Sequence, residues 1–179
     1  MEVKVLMVDD HPPIIEGYKA ILSFNRYGYD VKTVSAFNCE MAYAVISTTS
    51  IPFDLVMLDI TLPPFPERNL HSGEDLVALI RKHLPNSKII ILTSHSESLL
   101  LLKILREHNP NGLLVKSDFQ AEELLMAFDT IVRGENYHSS TIRNLKKKCL
   151  KPLKFGIVTI VKSYYFWHKE FKLKTFLNI

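Results

Sequence analysis

Short apolar runs and segments of helical periodicity alternate along residues 1–139. The apolar runs predict five strands, at residues 3–8, 31–36, 53–58, 88–93 and 113–115. Apolar side chains spaced three and four positions apart predict five helices, at residues 13–24, 38–48, 73–84, 97–108 and 118–132. Asn38 and Asp118 are expected to cap the second and fifth helices, and Gly134 is expected to follow the end of the fifth.

Most of the predicted strands are continuous apolar runs, which is typical of strands that helices cover on both faces. Strict alternation of strands and helices then predicts an α/β domain with a doubly wound, five-stranded parallel sheet. In such sheets functional groups collect beyond the carboxyl ends of the strands, near the point where the strand order reverses. Candidate functional residues are therefore those that directly follow each strand.

Polar side chains follow four of the five predicted strands. Asp9 and Asp10 follow the first, Asp59 the third, Thr93 ends the fourth, and Lys116 follows the fifth. Three carboxylates at one edge repel one another unless a cation lies between them, and oxygen ligands of this kind suit Mg²⁺. A lysine opposite them can bind a phosphoryl oxygen. The set predicts a site in which one carboxylate accepts a phosphoryl group beside a metal ion.

Each of these residues also has an ordinary structural interpretation. An acidic pair before a helix usually caps that helix, a lysine after a strand is usually solvated, and a threonine after an aliphatic run usually just ends a strand. Taken singly, the structural interpretation is favoured for each residue. Taken together, it requires independent coincidences at four strand ends, so the functional interpretation is preferred.

Four segments resemble the receiver domain of bacterial two-component response regulators, namely VLMVDDHPPIIEGYKAIL, FDLVMLDITLP, IIILTS and NGLLVKSD. The resemblance covers residues 2–134. It implies a flavodoxin-like sheet, in which the first strand neighbours the third and the fourth and fifth follow. It also implies that Asp59 is the phospho-acceptor, that Thr93 carries the switch hydroxyl, and that Lys116 binds the phosphoryl group.

The same resemblance implies a Mg²⁺ site and partners. Asp9 and Asp10 would help to hold the ion, with Asp10 as a direct ligand beside Asp59 and the backbone carbonyl of Thr61. Thr61 and His95 occupy positions that tune the lifetime of the phosphoryl group in this family. The implied partner is a sensor histidine kinase, and a homodimer is left open. Such a domain gains and slowly loses its own phosphoryl group in signalling and is not a turnover enzyme.

Two features depart from the usual receiver pattern. Leu113 stands three residues before the lysine, where the family usually has an aromatic residue whose rotation reports phosphorylation. The connection from Asp59 to Gly73 is several residues longer than usual. This long loop lies beside the acceptor, where it could screen Asp59 from water, shape the kinase contact, or form an inert surface loop.

Charge divides the chain near residue 140. The net charge is +3, yet residues 140–179 carry ten of the 22 Lys and Arg residues and one of the 19 acidic residues. We therefore predict a receiver domain at 1–139 and a short, irregular, basic and aromatic tail at 140–179. Two cysteines and no signal-like N-terminus favour a reducing, cytoplasmic setting. No segment offers the ~20 apolar residues that a membrane span needs.

The tail shows no recognisable helix-turn-helix pattern, although response regulators of this class usually continue into such a DNA-binding domain. Read in a shifted codon frame, residues 164–170 almost force the string L-(F/L)-L-A-Q-(R/G). With free codon choices, the surrounding residues can give NRQILLFLAQGIQTK, which resembles the opening of a helix-turn-helix output domain. We therefore expect a frameshift near residues 148–151, with a DNA-binding parent protein and no sequence-specific DNA binding by this chain.

Three other functions were weighed against a phospho-signalling receiver. The first is a DNA-binding transcription regulator whose output domain is truncated in this chain. The second is a Mg²⁺-dependent phosphatase on a similar sheet, which an aspartate two residues after the nucleophile would favour; Thr61 stands there instead. The third is a receiver tethered to a membrane surface by the basic aromatic tail.

Overall fold

The computed structural model describes residues 1–49 and 52–150, the last of these without its side chain. Within these residues there are six strands, β1 (Glu2–Val8), β2 (Asp30–Ala36), β3 (Leu55–Asp59), β4 (Lys88–Thr93), β5 (Gly112–Val115) and β6 (Tyr137–His138). The same described residues form six α-helices, α1 (Pro12–Ser23), α2 (Cys39–Thr48), α3 (Gly73–His83), α4 (Ser98–His108), α5 (Ala121–Val132) and α6 (Ser140–Leu150). Residues Met1–Leu145 form one compact unit.

All six strands join one sheet in the order β2-β1-β3-β4-β5-β6, and every neighbouring pair is parallel. The predicted order is thereby confirmed, with β1 beside β3 and then β4 and β5. Strands β3 and β5 are wholly buried, because helices cover both faces, whereas β2 alternates between exposed and partly buried positions at the sheet edge. The two-residue strand β6 was not predicted, since a run this short leaves no periodic signal.

Two apolar clusters lie on opposite faces of the sheet. Helices α1 and α5 bury Ile15, Leu22 and Phe128 on one face. Helices α2, α3 and α4 cover the other face, and alternate side chains of β1, such as Met7 and Val8, belong to different clusters. The alternation follows from the period of two along a strand, so each strand contributes to both halves of the core.

The five predicted helices correspond in order to α1–α5, whereas α6 was not predicted. Asn38 caps α2 as expected, since its side chain accepts a hydrogen bond from the Met41 amide at 2.8 Å. Gly134 follows α5 with a φ of 93°, a conformation that favours glycine. No helix among the described residues is long and apolar enough to cross a membrane.

The predicted cap of the fifth helix is wrong. Helix α5 begins at Ala121, and Asp118 does not cap it. Asp118 accepts hydrogen bonds from the hydroxyl of Ser139 at 2.7 Å and from the amide and hydroxyl of Thr141 at 2.8 and 3.0 Å. The carboxylate thus binds the start of α6, whereas α5 begins three residues after Asp118 with no side-chain cap.

The start of the predicted irregular tail is helical. Helix α6 occupies Ser140–Leu150, and Ile142 and Leu145 are buried in the cluster that α2, α3 and α4 cover. Their spacing of three is helical, and the Lys-rich composition obscured it. The proposed tail beyond residue 150, including the expected frameshift product, lies outside the described residues. The boundary at residue 140 stays a prediction.

Replacing Asp118 should loosen α6. The substitution Asp118→Ala leaves the buried Ser139 hydroxyl without its acceptor and should lower the free energy of unfolding by about 2 kcal/mol at neutral pH. Burial raises the pKa of Asp118, but its bonds to Ser139 and Thr141 more than offset this and hold the pKa below its usual value.

Because that pKa is depressed, the stabilising contribution of Asp118 is present above the unfolded-state value and is lost as the pH falls below about 4. Urea denaturation at a series of pH values should therefore show that the free energies of unfolding of wild type and Asp118→Ala become equal in acid. Asp118→Asn keeps one acceptor oxygen, so its free energy of unfolding should fall by less than that of Asp118→Ala. Equal stability of wild type and Asp118→Ala at neutral pH would contradict the role.

Candidate functional site

The parallel register brings the predicted polar residues to one edge of the sheet. Val8 pairs with Leu58, so Asp9 and Asp59 emerge from adjacent strands at the same level. Thr93 pairs with Val115, so Lys116 emerges just beyond Thr93. Each strand is held rigidly by its neighbours, and the edge therefore presents fixed side chains in a crevice where the strand order reverses.

Lys116 joins two buried carboxylates. Its Nζ lies 2.7 Å from Asp59 Oδ2 and 2.8 Å from Asp9 Oδ2. Asp9 and Asp59 are 2% and 3% exposed, so water screens this charge cluster weakly. One ammonium between two carboxylates leaves an excess negative charge, which a further cation at this edge would offset.

The pKa values of Lys116 and of a neighbouring tyrosine are both raised at this edge of the sheet. Burial lowers the pKa of Lys116, but the hydrogen bonds and charges of Asp59 and Asp9 outweigh it and raise that pKa above its ordinary value. For Tyr18 on α1, burial itself raises the pKa, which reaches about 12. The positive charge of Lys116 opposes this rise, and the negative charges of Asp9 and Asp59 add to it. Lys116 therefore remains a cation, and Tyr18 a neutral phenol, throughout the neutral range.

Thr93 and Thr61 are tied to the same edge by backbone contacts. The Lys116 amide donates to the Thr93 carbonyl at 2.7 Å, and the wholly buried Thr93 hydroxyl accepts from the His95 amide at 3.0 Å. The Thr61 amide donates to Asp59 Oδ1 at 3.1 Å. Both Asp59 oxygens are thus oriented, one by Lys116 and the other by Thr61.

The His95 side chain is placed differently. Its Nδ1 lies 3.5 Å from Glu97 Oε2, and its side chain is 43% exposed. The structure therefore joins Asp9, Asp59 and Lys116 by direct side-chain contacts and holds Thr61 and Thr93 through the backbone. His95 is joined to them through its amide.

Asp10 offers a buried carboxylate oxygen close to Asp9 and His11. Its Oδ1 is buried and forms no hydrogen bond, although His11 Nδ1 lies 2.7 Å away. Ligand atoms of Asp9, Asp10 and His11 all lie within 4.8 Å of one another. A buried carboxylate oxygen that accepts no hydrogen bond can take a cation as its partner, and oxygen ligands of this kind suit Mg²⁺.

The sequence reasoning missed His11 and Tyr18. The His11 amide donates to Asp9 Oδ1 at 3.0 Å and so helps to fix that carboxylate. The signal in the sequence that could have identified His11 is its position directly after Asp9 and Asp10. Tyr18 lies on the buried face of α1, where the apolar periodicity of residues 13–24 indicates only a core position.

Comparison with known proteins agrees with this geometry. The model of the response regulator receiver domain family matches residues 5–129. The transcriptional regulatory protein MctR of Rhizobium johnstonii is 25% identical over 141 residues, which cover 79% of this chain and 60% of that protein. The oxygen regulatory protein NreC of Staphylococcus haemolyticus is 28% identical over 135 residues, which cover 75% of this chain and 57% of that protein. The chain thus spans roughly three fifths of these relatives.

Solved structures show the same fold. A two-component response regulator of the LuxR family from Aurantimonas sp. SI85-9A1 has a TM-score of 0.68 at 29% identity, covering 84% of this chain and all of that one. The isolated REC domain of RcsB from Salmonella enterica serovar Typhimurium, with the phosphomimetic BeF3-, has a TM-score of 0.67 at 19% identity. The match covers 81% of this chain and 99% of that one. The second likeness concerns the fold alone.

These matches confirm the predicted resemblance and the flavodoxin-like architecture, and they place the chain among signalling proteins rather than metabolic enzymes. The family match extends over most of the compact unit and includes Asp9, Asp59 and Lys116. The chain therefore belongs to the response regulator receiver domain family.

Proposed function

We propose that this chain accepts a phosphoryl group from a sensor histidine kinase on the carboxylate of Asp59. The observation that carries the proposal is the bridge formed by Lys116, whose ammonium contacts both Asp59 and Asp9. A structural ion pair needs one carboxylate, whereas two buried carboxylates around one ammonium leave negative charge to be used in binding a cation.

The geometry supports direct transfer to Asp59. Its two oxygens are held by Lys116 and by the Thr61 amide, so the carboxylate is oriented before any donor arrives. In the transfer a carboxylate oxygen forms the new bond to phosphorus while the bond from phosphorus to the donor nitrogen breaks. Lys116 is placed to bind an oxygen of the transferred group, and the Thr93 hydroxyl to donate to another.

We propose that Asp10, Asp59 and the backbone carbonyl of Thr61 hold Mg²⁺, with Asp9 beside them. The buried Asp10 oxygen, which accepts no hydrogen bond, supports this assignment. When bound, the ion supplies charge neutralisation for the transferring phosphoryl group. Thr61 and His95 remain candidates for tuning the phosphoryl lifetime, and His95 would act from the partly exposed rim of the site.

The proposal can be tested with acetyl phosphate as a small phosphodonor. The whole chain in Mg²⁺ should gain one phosphoryl group, which hydroxylamine should release because the product is an acyl phosphate. EDTA should prevent the uptake, since the carboxylates would repel the donor. Asp10→Ala should need far more Mg²⁺ for the same rate. Uptake in EDTA at the rate seen in Mg²⁺ would contradict the metal's role.

The wider biology of this chain is also a proposal. MctR is named as a transcriptional regulatory protein, and RcsB has been solved as dimers bound to DNA. We propose that this receiver belongs to a cytoplasmic signalling route of the same kind, is not a turnover enzyme, and can form a homodimer. Any DNA binding by the basic segment after residue 140 should be weak, blind to sequence and strongly salt-dependent, because lysines would contact phosphates alone.

A further inference from the structure

The long connection between β3 and α3 is a folded arm packed against α2. We define the arm as residues 62–70, which include a turn of 3-10 helix at Pro66–Arg68. Near its tip, Phe65 and Leu70 exchange backbone hydrogen bonds at 2.7 and 3.2 Å. At its base, the Gly73 amide donates to the Ile60 carbonyl at 2.8 Å. The segment is therefore closed at both ends, as compact loops that hold a fixed shape are.

Side chains fasten the arm to α2. The rings of Phe65 and Tyr43 meet edge to face, with centroids 5.8 Å apart. The guanidinium carbon of Arg68 lies 5.1 Å from the centre of the Tyr43 ring. The Cys39 amide at the start of α2 donates to the Pro63 carbonyl at 3.1 Å, and Leu62 is buried. An inert surface loop would not need an aromatic anchor, a cation over a ring and a backbone bond to the same helix.

Thr61 is restrained by the residues on both of its sides in the sequence. Its amide is bound to Asp59 Oδ1, while the next residue, Leu62, is buried and the Pro63 carbonyl accepts a hydrogen bond from the first residue of α2. The peptide between them, which carries the Thr61 carbonyl, has little freedom to turn. A preset ligand carbonyl loses less entropy on binding a metal than a mobile one does.

We infer that Tyr43 and Phe65 are positioning residues, which set the Mg²⁺ affinity of the acceptor site by anchoring the arm on α2. The inference rests on the proposed function, because it takes the Thr61 carbonyl as a ligand. It assigns a role to the loop extension that the family resemblance does not supply, and it requires neither ring to touch the ion or the phosphoryl group.

The inference can be tested on the full chain with Mn²⁺ as a paramagnetic probe, since this ion also takes oxygen ligands in octahedral geometry. The electron paramagnetic resonance signal of free Mn²⁺ measures affinity, and competition extends the measurement to Mg²⁺. Tyr43→Ala and Phe65→Ala should each weaken binding about tenfold, the scale found when the supports of metal ligands are removed. Tyr43→Phe and Phe65→Tyr keep the ring contact and should bind like wild type.

Acetyl phosphate uptake provides a second readout. In the alanine variants the Mg²⁺ concentration for half-maximal rate should rise by a similar factor, while the rate at saturating Mg²⁺ stays near that of wild type. If an alanine variant fails to fold, Tyr43→Leu replaces it, because leucine keeps apolar volume on α2 without the ring. Unchanged metal affinity in a folded variant that has lost the ring pair would overturn the inference and would show a structural role only.

The outcomes for the arm and for the acceptor can be separated. If wild type is phosphorylated on Asp59 and the ring variants bind Mn²⁺ as tightly as wild type, only the inference about the arm fails. If wild type takes up no phosphoryl group in Mg²⁺, the proposed function fails, whatever the ring variants do.

Discussion

The substitution Asp59→Asn should abolish phosphoryl uptake from acetyl phosphate. An amide oxygen is a far weaker nucleophile than a carboxylate oxygen, and the acyl phosphate cannot form on asparagine. The variant should still fold, because asparagine has nearly the same shape and its one amide oxygen can still accept one of the two bonds that Lys116 and the Thr61 amide donate to Asp59. The measurement is the mass of the intact protein after incubation in Mg²⁺.

A matched control lies one residue before the same strand. The Asp54 carboxylate accepts a hydrogen bond from the Lys4 amide at 2.7 Å and is separated from the site by the length of β3. Asp54→Asn removes the same charge and should be phosphorylated like wild type. Undiminished uptake by Asp59→Asn would show that another residue is the acceptor.

The substitution Gly73→Ala should damage both stability and the site. Gly73 begins α3 and lies against the backbone at the end of β3. A Cβ at this position would collide with the Asp59 carbonyl oxygen and would lie 2.9 Å from the Ile60 Cα. Backbone atoms cannot rotate away as a flexible side chain can, so the strand end must shift. We expect a loss of about 2–3 kcal/mol in the free energy of unfolding, the usual cost of overpacking.

The same shift should reach the acceptor, because Asp59 itself is displaced. Phosphoryl uptake by folded Gly73→Ala should therefore slow well below that of wild type. Gly17→Ala is the control, since a Cβ there has no heavy atom within 4 Å and Gly17 lies inside α1. That change should stabilise the protein by about 0.5–1 kcal/mol. Urea denaturation and uptake rates measure both variants, and wild-type behaviour of Gly73→Ala would refute the close contact.

The sequence was sufficient to predict the parts of the fold that depend on local pattern. Continuous apolar strands and intervening helices predict a parallel sheet, and the carboxyl ends of parallel strands meet at one edge. Asp9, Asp59 and Lys116 could therefore be placed together before any contact was known. The cap at Asn38 was predictable for the same reason, because its partner, Met41, is three residues away.

Contacts between distant segments could not be predicted in this way. Asp118 reads as a helix cap, yet its partners Ser139 and Thr141 lie more than twenty residues on. The arm reads as an irregular, proline-rich loop, because its order depends on Tyr43 of another helix. Helix α6 was not predicted, because only two of its residues, Ile142 and Leu145, belong to the buried core. Two apolar positions in a lysine-rich segment are too few to give a clear helical period.

Direct mapping of the acyl phosphate tests the central claim most directly. After incubation with acetyl phosphate and Mg²⁺, reduction with borohydride converts an aspartyl phosphate to homoserine, which peptide mass spectrometry can locate. The account predicts homoserine at position 59, and none there when EDTA is present or the phosphodonor is omitted. Homoserine at position 9 or 10 with an unmodified Asp59, or no modified aspartate in a folded, Mg²⁺-loaded chain, would contradict it.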